Sequence, residues 1–201
     1  MTAPSPDVSA FILAGGKSTR MGADKAFVTL DGKTLLARAL DLARSITPDV
    51  RIVGDPGKFS PFAPTVEDIF PNRGPLGGIH AALRSSQTDL NLILAVDVPF
   101  ISPALLRYLL NRASNSAALI TVVQSGGGYQ PLCALYRREF AEAAEQALHA
   151  GRYKIDTLFT PTTTQTITEE ELKNADFSPS LFRNLNTPKE LSEASEQANH
   201  H

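Results

Sequence analysis

A buried strand that ends in paired glycines and a basic loop constrains the fold of this chain most. Residues 8–14 read VSAFILA, a nearly continuous apolar run, and Gly15 and Gly16 follow it directly. Such a run is typical of a strand buried on both faces, as in parallel sheets covered by helices. The following loop carries cations at Lys17, Arg20 and Lys25. Backbone N–H groups and positive charge at one strand end predict an anion site, suited to phosphates.

Two better-known phosphate motifs do not fit this spacing. The P-loop requires a glycine five positions before Gly16, and that position holds Phe11 inside the apolar run. The Rossmann fingerprint requires one residue between its first two glycines, whereas Gly15 and Gly16 are adjacent. The remaining alternative is a tight turn between strand and helix that merely needs two glycines.

The rest of the chain alternates strand patterns with helix patterns. Strands are predicted at 50–53, 90–96 and 118–123 and within 160–168, and helices at 33–46, from 75 through 83, at 103–110 and at 137–150. This order predicts an α/β fold with three layers, in which a mostly parallel, Rossmann-like sheet has helices on both faces. Ligands of such sheets gather beyond the carboxyl ends of the strands.

Length and composition narrow the class of protein. The chain has 201 residues, of which 42% are hydrophobic, which suits a single domain over 1–201 with an ordered core at about 8–191 and a frayed C-terminal tail. A net charge of −2 argues against nucleic-acid binding by bulk electrostatics. The chain has one cysteine and no recognisable signal peptide, and no apolar run approaches the roughly 20 residues of a membrane span. We therefore expect a cytoplasmic protein that binds no membrane.

Asp97 directly follows the apolar run at 90–96, and Pro99 ends the strand there. A carboxylate in this position faces the crevice at the end of the sheet. Because magnesium takes one or two carboxylates together with phosphate oxygens of a substrate, Asp97 is a candidate Mg²⁺ ligand. The alternative is a cap for the next helix, but Ser102 and Pro103 already form the pattern of a cap and a first helical residue.

Three further segments each allow a functional and a structural interpretation. Residues 72–78, NRGPLGG, favour either close approach of a ligand or a simple helix start. Asn184 and Asn186 would face one side of an extended segment and could bind a substrate or metal, or they fix a turn before the following Thr-Pro pair. Arg152 and Lys154 form either a solvated turn or a second anion contact. The chain shows neither a nucleophile elbow nor zinc-ligand spacing.

Five segments in order resemble the molybdenum cofactor guanylyltransferase family. They are LAGGKSTRMGADK (13–25), GPLGGI (74–79), DVP (97–99), QPLCALY (130–136) and NLNTP (184–188), and the match extends over about 8–191. The resemblance implies a nucleotidyltransferase fold, GTP and Mg²⁺, and transfer of GMP to molybdenum-bound molybdopterin with release of pyrophosphate. It also suggests molybdoenzyme apoproteins or their chaperones as partners that receive the product.

The resemblance also implies roles for single residues. Leu13, Ala14, Gly15 and Lys25 match GTP contacts, and Asp97 matches the magnesium ligand. The expected substrate contacts are Leu13, Ala14, Gly15, Gly16, Lys25, Asp68, Gly74, Pro75, Asp97, Arg152, Lys154, Asn184 and Asn186, and the expected catalytic residues are Arg20, Lys25 and Asp97. The family often has a nucleotide-contacting asparagine after the second strand, where this chain has Gly54 and Asp55. That contact is therefore lost, or is replaced by Asp55 or by backbone.

The chemistry agrees with the absence of a catalytic triad. A terminal phosphate on the acceptor is already ionised near pH 7, so its attack on the α-phosphorus needs no general base, and positioning and electrostatics dominate. Two other functions remain open from the residues. One is a cytidylyltransferase or sugar-phosphate nucleotidyltransferase on the same scaffold, and the other is a non-catalytic nucleotide-binding adaptor in cofactor delivery.

Overall fold

A mixed sheet, parallel in most of its pairs, organises the computed structural model, which describes residues 7–15 and 24–183. The strands are β1 (Val8–Leu13), β2 (Thr29–Leu30), β3 (Lys33–Thr34), β4 (Val50–Val53), β5 (Thr65–Val66), β6 (Leu90–Ala95), β7 (Ile120–Ser125), β8 (Gly128–Tyr129), β9 (Cys133–Arg137) and β10 (Thr164–Ile167). The α-helices are α1 (Leu35–Arg44), α2 (Pro56–Phe59), α3 (Pro75–Ser85), α4 (Pro103–Ser114), α5 (Phe140–His149) and α6 (Glu169–Asn174). Short 3₁₀ helices cover Lys25–Phe27, Ile155–Leu158 and Pro179–Phe182.

The main sheet has the order β10-β7-β9-β6-β1-β4-β5, with β8 paired to β7 as a hairpin. Pairing is parallel among β6, β1, β4 and β5 and between β7 and β10. Helices α1 and α4 pack on one face, and α3 and α5 pack on the other. The predicted three-layer α/β fold is therefore confirmed. In the part of the chain that the structure describes, no helix combines the length and hydropathy that a membrane crossing requires.

Strand β9 corrects the sequence prediction. The predicted helix at 137–150 begins only at Phe140, and Cys133–Arg137 forms a strand that lies antiparallel between β6 and β7. Arg137 pairs with Leu90, and its backbone N–H donates to the carbonyl of Leu119 at 2.8 Å. The ladder on both sides thus holds Arg137 in extended backbone, which a helical period cannot reveal.

Other predicted helices and strands differ from the structure mainly at their ends. The helix predicted at 33–46 begins at Leu35, because residues 33–34 pair with β2 and the Thr34 side chain caps the helix by accepting from the N–H of Ala37 at 3.2 Å. Helix α4 begins as predicted, with Ser102 accepting from the N–H of Leu105 at 3.2 Å, and continues to Ser114. The predicted tail lies outside the described residues.

The register of the three central strands brings their carboxyl ends to one edge. Leu13 of β1 lies beside Val53 of β4 and beside Ala95 of β6. Residues 14–15, 54–55 and 96–97 therefore leave the sheet together. This is the edge at which α/β sheets bind ligands.

Candidate functional site

A cavity of about 320 Å³ lies at the carboxyl ends of β1, β4 and β6, and we name it the sheet-end cavity. Its volume is at the lower end of the range for small-molecule sites, roughly 300–1,000 Å³. Its lining contains Leu13, Ala14, Gly15, Lys25, Asp68, Gly74, Pro75 and Asp97, together with Asp24, Val53, Gly78, Ala95, Val96 and Leu132. The sequence singled out the first eight of these residues from segments far apart in the chain.

An ion pair in this cavity joins Lys25 to Asp97. The Lys25 ammonium donates to Asp97 Oδ2 at 3.0 Å, and the side chains are 20% and 23% exposed. Lys25 begins the 3₁₀ helix Lys25–Phe27, which is capped by Asp24 through the N–H of Ala26 at 3.0 Å. A basic residue and a carboxylate 72 positions apart thus meet where the sequence predicts phosphate and metal chemistry.

Asp24, to which no sequence pattern assigned a role, also lines the cavity and forms an ion pair with Lys58. Its position before Lys25 is the usual position of a capping aspartate, and that pattern could have revealed it. The Lys58 ammonium also lies over the ring of Phe59, 5.0 Å from its centroid. Helix α2, which carries Lys58, is thereby tied to the segment that presents Lys25.

Asp68 reaches the cavity from the segment that precedes α3. Its Oδ1 accepts from the N–H of Phe70 at 2.9 Å. Burial raises the pKa of Asp68 above its ordinary value, although the hydrogen bond from Phe70 and the charge of nearby His80 act in the opposite direction. A carboxylate that is partly withdrawn from water and lines a cavity is a candidate for ligand binding.

The glycines of the NRGPLGG segment divide into two roles. Gly74 has φ +69°, a conformation that side-chain-bearing residues rarely adopt, and it lines the cavity beside Pro75. Gly77 serves packing, because a Cβ there would lie 2.9 Å from the carbonyl oxygen of Phe70 and 3.0 Å from Asp68 Oδ1. Of the two interpretations that the sequence left open, helix packing applies to Gly77, and close approach of a ligand stays a prediction for Gly74.

Backbone amides at the end of β1 are already used within the protein. The N–H groups of Ala14 and Gly15 both donate to the carbonyl of Val53, at 3.1 and 3.2 Å. They hold β1 against β4 beyond the last paired residue, so these two N–H groups serve the sheet rather than a phosphate. The expected contacts Gly16 and Arg20, like Asn184 and Asn186, lie outside the described residues.

Gly54 and Asp55 stand where the resembling family often has asparagine. Asp55 caps α2, since its Oδ1 accepts from the N–H of Gly57 at 2.9 Å, and it is not among the residues that line the cavity. A Cβ on Gly54 would lie only 2.8 Å from the ring of Phe59. Packing of Phe59 thus accounts for glycine at this position, and Asp55 has a structural role.

Arg152 and Lys154 follow α5 but have different surroundings. Arg152 is exposed, its backbone N–H donates to the carbonyl of Ala147 at 2.8 Å, and it is not among the lining residues of the sheet-end cavity. Lys154 lines a second cavity of about 290 Å³, which we name the tyrosine cavity. Its lining includes Pro75, Tyr129, Pro131, Tyr153, Lys154 and Asp156. The two cavities share Pro75.

A cation–aromatic pair joins the segment before α3 to the segment after α5. The guanidinium of Arg73 donates to the hydroxyl of Tyr153 at 2.7 Å and lies over its ring, 5.0 Å from the centroid. The two residues are 80 positions apart. No local pattern in the sequence indicates such a pair.

The donor set suits a magnesium ion that is shared with a substrate. Within 7–15 and 24–183, no cluster of three or more His, Cys, Asp or Glu side chains forms a closed metal site. Magnesium does not need one, because it retains water and takes one or two carboxylates together with substrate phosphates. Asp97, partly exposed in a cavity beside a lysine, is the residue that would hold it.

Comparison with known proteins identifies the family to which the chain belongs. The MobA-like NTP transferase domain family matches residues 10–164. The molybdenum cofactor guanylyltransferase of Desulfosudis oleivorans is 36% identical over 93% of this chain and 94% of its own length. A protein of that name from Syntrophotalea carbinolica is 33% identical over 89% of this chain and 86% of its own.

A solved structure extends the similarity to three dimensions. The molybdopterin-guanine dinucleotide biosynthesis protein A of Archaeoglobus fulgidus superposes with a TM-score of 0.83 at 26% identity, covering 96% of this chain and all of that one. Sequence and fold thus agree over nearly the full length. The chain belongs to the MobA-like NTP transferases and, among them, to the molybdenum cofactor guanylyltransferase family.

Proposed function

We propose that this protein transfers GMP from GTP to molybdenum-bound molybdopterin, which yields molybdopterin guanine dinucleotide cofactor and pyrophosphate. The observation that carries the proposal is the Lys25–Asp97 pair inside the sheet-end cavity, surrounded by residues of the family's motifs. Membership of the family supports the reaction type, and the motif residues support the place where it occurs.

The reaction balances without an added acid or base. An oxygen of the acceptor's terminal phosphate attacks the α-phosphorus of GTP and forms a new P–O bond. The bond from the α-phosphorus to the oxygen that bridges to the β-phosphate breaks, and pyrophosphate leaves with the electron pair. Because both the nucleophile and the leaving group are anionic, the barrier is dominated by charge repulsion and alignment.

The charged residues of the cavity reduce that repulsion. Lys25 places an ammonium beside the phosphates, and its contact with Asp97 at 3.0 Å holds it in position before substrate arrives. Asp97 would hold Mg²⁺, which when bound neutralises phosphate charge. Arg20 is proposed to stabilise the leaving pyrophosphate together with Lys25. Leu13, Gly15 and Asp68 are proposed to bind the nucleoside.

The first experiment measures pyrophosphate release from GTP with molybdopterin and Mg²⁺. Asp97→Asn preserves the shape of the side chain but removes its charge, and we expect kcat to fall by about a hundredfold or more. Asp176→Asn, the same change at an exposed residue after α6, is the control and should behave as wild type. Wild-type activity in Asp97→Asn would overturn the role of Asp97.

The second experiment tests the nucleotide and the class of function. Thermal shifts are compared for GTP, CTP, ATP and UTP, each with Mg²⁺, and we expect GTP to raise Tm most. A larger shift with CTP would favour a cytidylyltransferase. Tight GTP binding with no pyrophosphate release in the presence of molybdopterin would favour a non-catalytic adaptor.

The cellular compartment of the reaction is also a proposal. The single cysteine, Cys133, is buried in β9, and burial raises the pKa of its thiol to about 12. A thiol of this kind stays protonated and unreactive, which is compatible with a reducing cytoplasm. We propose a cytoplasmic enzyme whose product passes to molybdoenzyme apoproteins or their chaperones.

A further inference from the structure

Lys25 lies on a short segment with little internal support. Its 3₁₀ helix, Lys25–Phe27, has three residues and is closed by hydrogen bonds from the N–H of Phe27 to the carbonyl of Asp24 at 3.0 Å and from the N–H of Val28 to the carbonyl of Lys25 at 3.1 Å. Hydrogen bonds in 3₁₀ helices have poorer geometry than those in α-helices, and such helices stay short. The direction of the Lys25 side chain therefore depends on contacts from outside the helix as well.

Lys58 of α2 contacts the chain both before and after Lys25. Its ammonium forms an ion pair with Oδ2 of Asp24, which directly precedes Lys25. The same ammonium lies 5.4 Å from the centroid of the Phe27 ring, within the roughly 6 Å of a cation–π contact. The Phe27 ring in turn stacks on the ring of Phe59, with 6.0 Å between centroids and 14° between planes. One side chain thus holds the segment that carries Lys25 at two points.

Helix α2 is anchored well enough to serve as a base for Lys58. The side chain of Asp55 caps its first turn, and Phe59 at its last turn is buried, with 2% exposure. The helix follows soon after β4 of the main sheet. Contacts therefore extend from the end of β4 through Lys58 to Lys25, which itself reaches Asp97 beyond the end of β6.

The two carboxylate oxygens of Asp24 have separate partners. Oδ1 accepts from the N–H of Ala26 at 3.0 Å and caps the 3₁₀ helix, whereas Oδ2 pairs with Lys58. Among the described residues, Asp24 and Lys25 line the sheet-end cavity and Lys58 does not. The Lys58 and Asp24 side chains are 36% and 30% exposed, and an ion pair so close to solvent adds little to stability. Its loss should leave the fold intact.

We propose that Lys58 is a positioning residue for nucleotidyl transfer, because its contacts with Asp24 and Phe27 fix the direction of Lys25. This inference rests on the proposed function, in which Lys25 stabilises the negative charge that develops on the leaving pyrophosphate. A cation that is already in place stabilises this charge without reorganising during the reaction. Because the charge develops only in the transition state, loss of alignment lowers kcat more than it weakens GTP binding.

The alternative is that the Lys58 ammonium binds a phosphate of GTP directly, and a double-mutant cycle separates the two roles. Asp24→Asn retains an oxygen that can cap the helix but removes the charge that Lys58 meets. If Lys58 acts through Asp24, adding Lys58→Met to Asp24→Asn should lower kcat by less than it does in the wild type. A direct contact with GTP would make the losses multiply.

The main experiment measures kcat and KM for pyrophosphate release in Lys58→Met, which keeps an unbranched side chain but removes its charge. We expect kcat to fall by about tenfold, since a misplacement of roughly 1 Å can cost up to about a hundredfold. The KM for GTP should change by less than about threefold, as for an interaction made mainly in the transition state. Lys58→Arg should keep at least about half of the wild-type kcat, because a guanidinium can pair with Asp24 and stack on Phe27.

Two variants are matched controls. Ser60→Ala removes the hydrogen bond from the Ser60 hydroxyl to the carbonyl of Pro56 at 2.6 Å in the same helix but leaves Lys58 in place. Lys173→Met is the same change of residue type at an exposed position of α6. Both should keep kcat within about twofold of wild type. A loss in Ser60→Ala equal to that in Lys58→Met would show that the stability of α2 controls turnover and would overturn the proposal.

The other failures have different meanings. Wild-type kcat in Lys58→Met would overturn the proposal and leave the proposed function intact, and multiplying losses in the double-mutant cycle would overturn it by making Lys58 a GTP contact. Absence of turnover in the wild type would contradict the proposed function. Hydrogen exchange would still test the positioning, because the amides of Ala26 and Val28 should exchange faster in Lys58→Met than in wild type and Ser60→Ala. Equal exchange in the three proteins would overturn it.

Discussion

Gly54 lies where the absence of a Cβ allows the ring of Phe59 to pack against the backbone. The carbonyl of Val66 accepts from its N–H at 3.0 Å, which ties β4 to β5, and the ring of Phe59 covers its Cα. An asparagine there would recover the residue that the family often has but would collide with Phe59. Packing of the Phe59 ring is thus the physical reason for glycine rather than asparagine at this position.

We predict that Gly54→Asn lowers the free energy of unfolding by about 1–3 kcal/mol, because the new Cβ would overlap the Phe59 ring. Urea unfolding followed by circular dichroism measures the change. Gly128→Ala is the matched control, since a Cβ there meets nothing within 4 Å, and it should change stability by less than about 0.5 kcal/mol. Equal stability of Gly54→Asn and wild type would show that Phe59 moves aside freely.

Burial of Asp68 in the sheet-end cavity has a cost in stability. Its pKa is raised by burial, so the folded protein disfavours the ionised carboxylate relative to the unfolded chain. For such a group the penalty is absent below the unfolded pKa and is complete above the folded pKa. A partly desolvated carboxylate is kept here at the expense of stability at neutral pH, as is common in binding sites.

We predict that Asp68→Asn raises Tm at neutral pH and weakens GTP binding. The gain in Tm should shrink as the pH falls through the raised pKa of Asp68, because the wild-type carboxyl is then neutral as well. Thermal unfolding at neutral and acid pH and calorimetric GTP titration measure the two effects. A lower Tm for Asp68→Asn at neutral pH would contradict this account of Asp68.

Helix α6 shows how one short element is secured. Thr168 and Glu171 form a capping box, in which Glu171 Oε2 accepts from the N–H of Thr168 at 2.9 Å. Glu171 Oε1 accepts from Arg112 of α4 at 2.8 Å, so the same side chain closes the helix start and joins it to a neighbour. The hydrogen bond from Thr168, followed by that from Arg112, lowers the pKa of Glu171.

We predict that Glu171→Gln lowers the free energy of unfolding at neutral pH by roughly 1 kcal/mol, the net value of its hydrogen bonds. A lowered folded pKa means that this stabilisation is complete above the ordinary value of 4.5 and is lost as the pH falls through the lowered pKa. Urea unfolding of Glu171→Gln and of Glu170→Gln, an exposed glutamate in the same turn, should differ at neutral pH and converge in acid. Equal stability of the two variants at both pH values would contradict the capping role of Glu171.

Two hydrophobic layers meet at the central sheet. Leu92 and Ile93 are neighbours in β6 and are 1% and 0% exposed, but they face opposite layers, Leu92 toward the side of α1 and α4 and Ile93 toward the side of α3 and α5. Because the same strands contribute side chains to both layers, one layer cannot unfold without disrupting the other. We therefore propose that the described core folds as a single domain.

We predict that Leu92→Ala and Ile93→Ala each lower the free energy of unfolding by about 2–5 kcal/mol and that both retain one cooperative transition. The chain has no tryptophan, so far-ultraviolet circular dichroism and tyrosine fluorescence are the two probes. Their transitions should coincide in the wild type and in both variants. Separate midpoints in either variant would show that the two layers unfold independently.

Local patterns in the sequence determined the strands β1, β4 and β6, the starts of α3 and α4, and the placement of Lys25 and Asp97 beyond strand ends. These features depend on short-range rules, because a buried run, a capping serine and a proline at a helix start act within a few residues. The expectation of an anion site with a carboxylate beside it followed from the same rules. The family resemblance supplied the nucleotide and the acceptor.

Only the tertiary structure placed β9 between β6 and β7, brought Lys25 within 3.0 Å of Asp97, and paired Arg73 with Tyr153. It also turned Asp55 into a cap and Gly77 into a packing contact. Each of these depends on strand register or on side chains from distant segments, and the free energy of such contacts is gained only when the whole sheet assembles. A sequence shows which residues are neighbours along the chain, whereas contacts between distant segments form only in the folded protein.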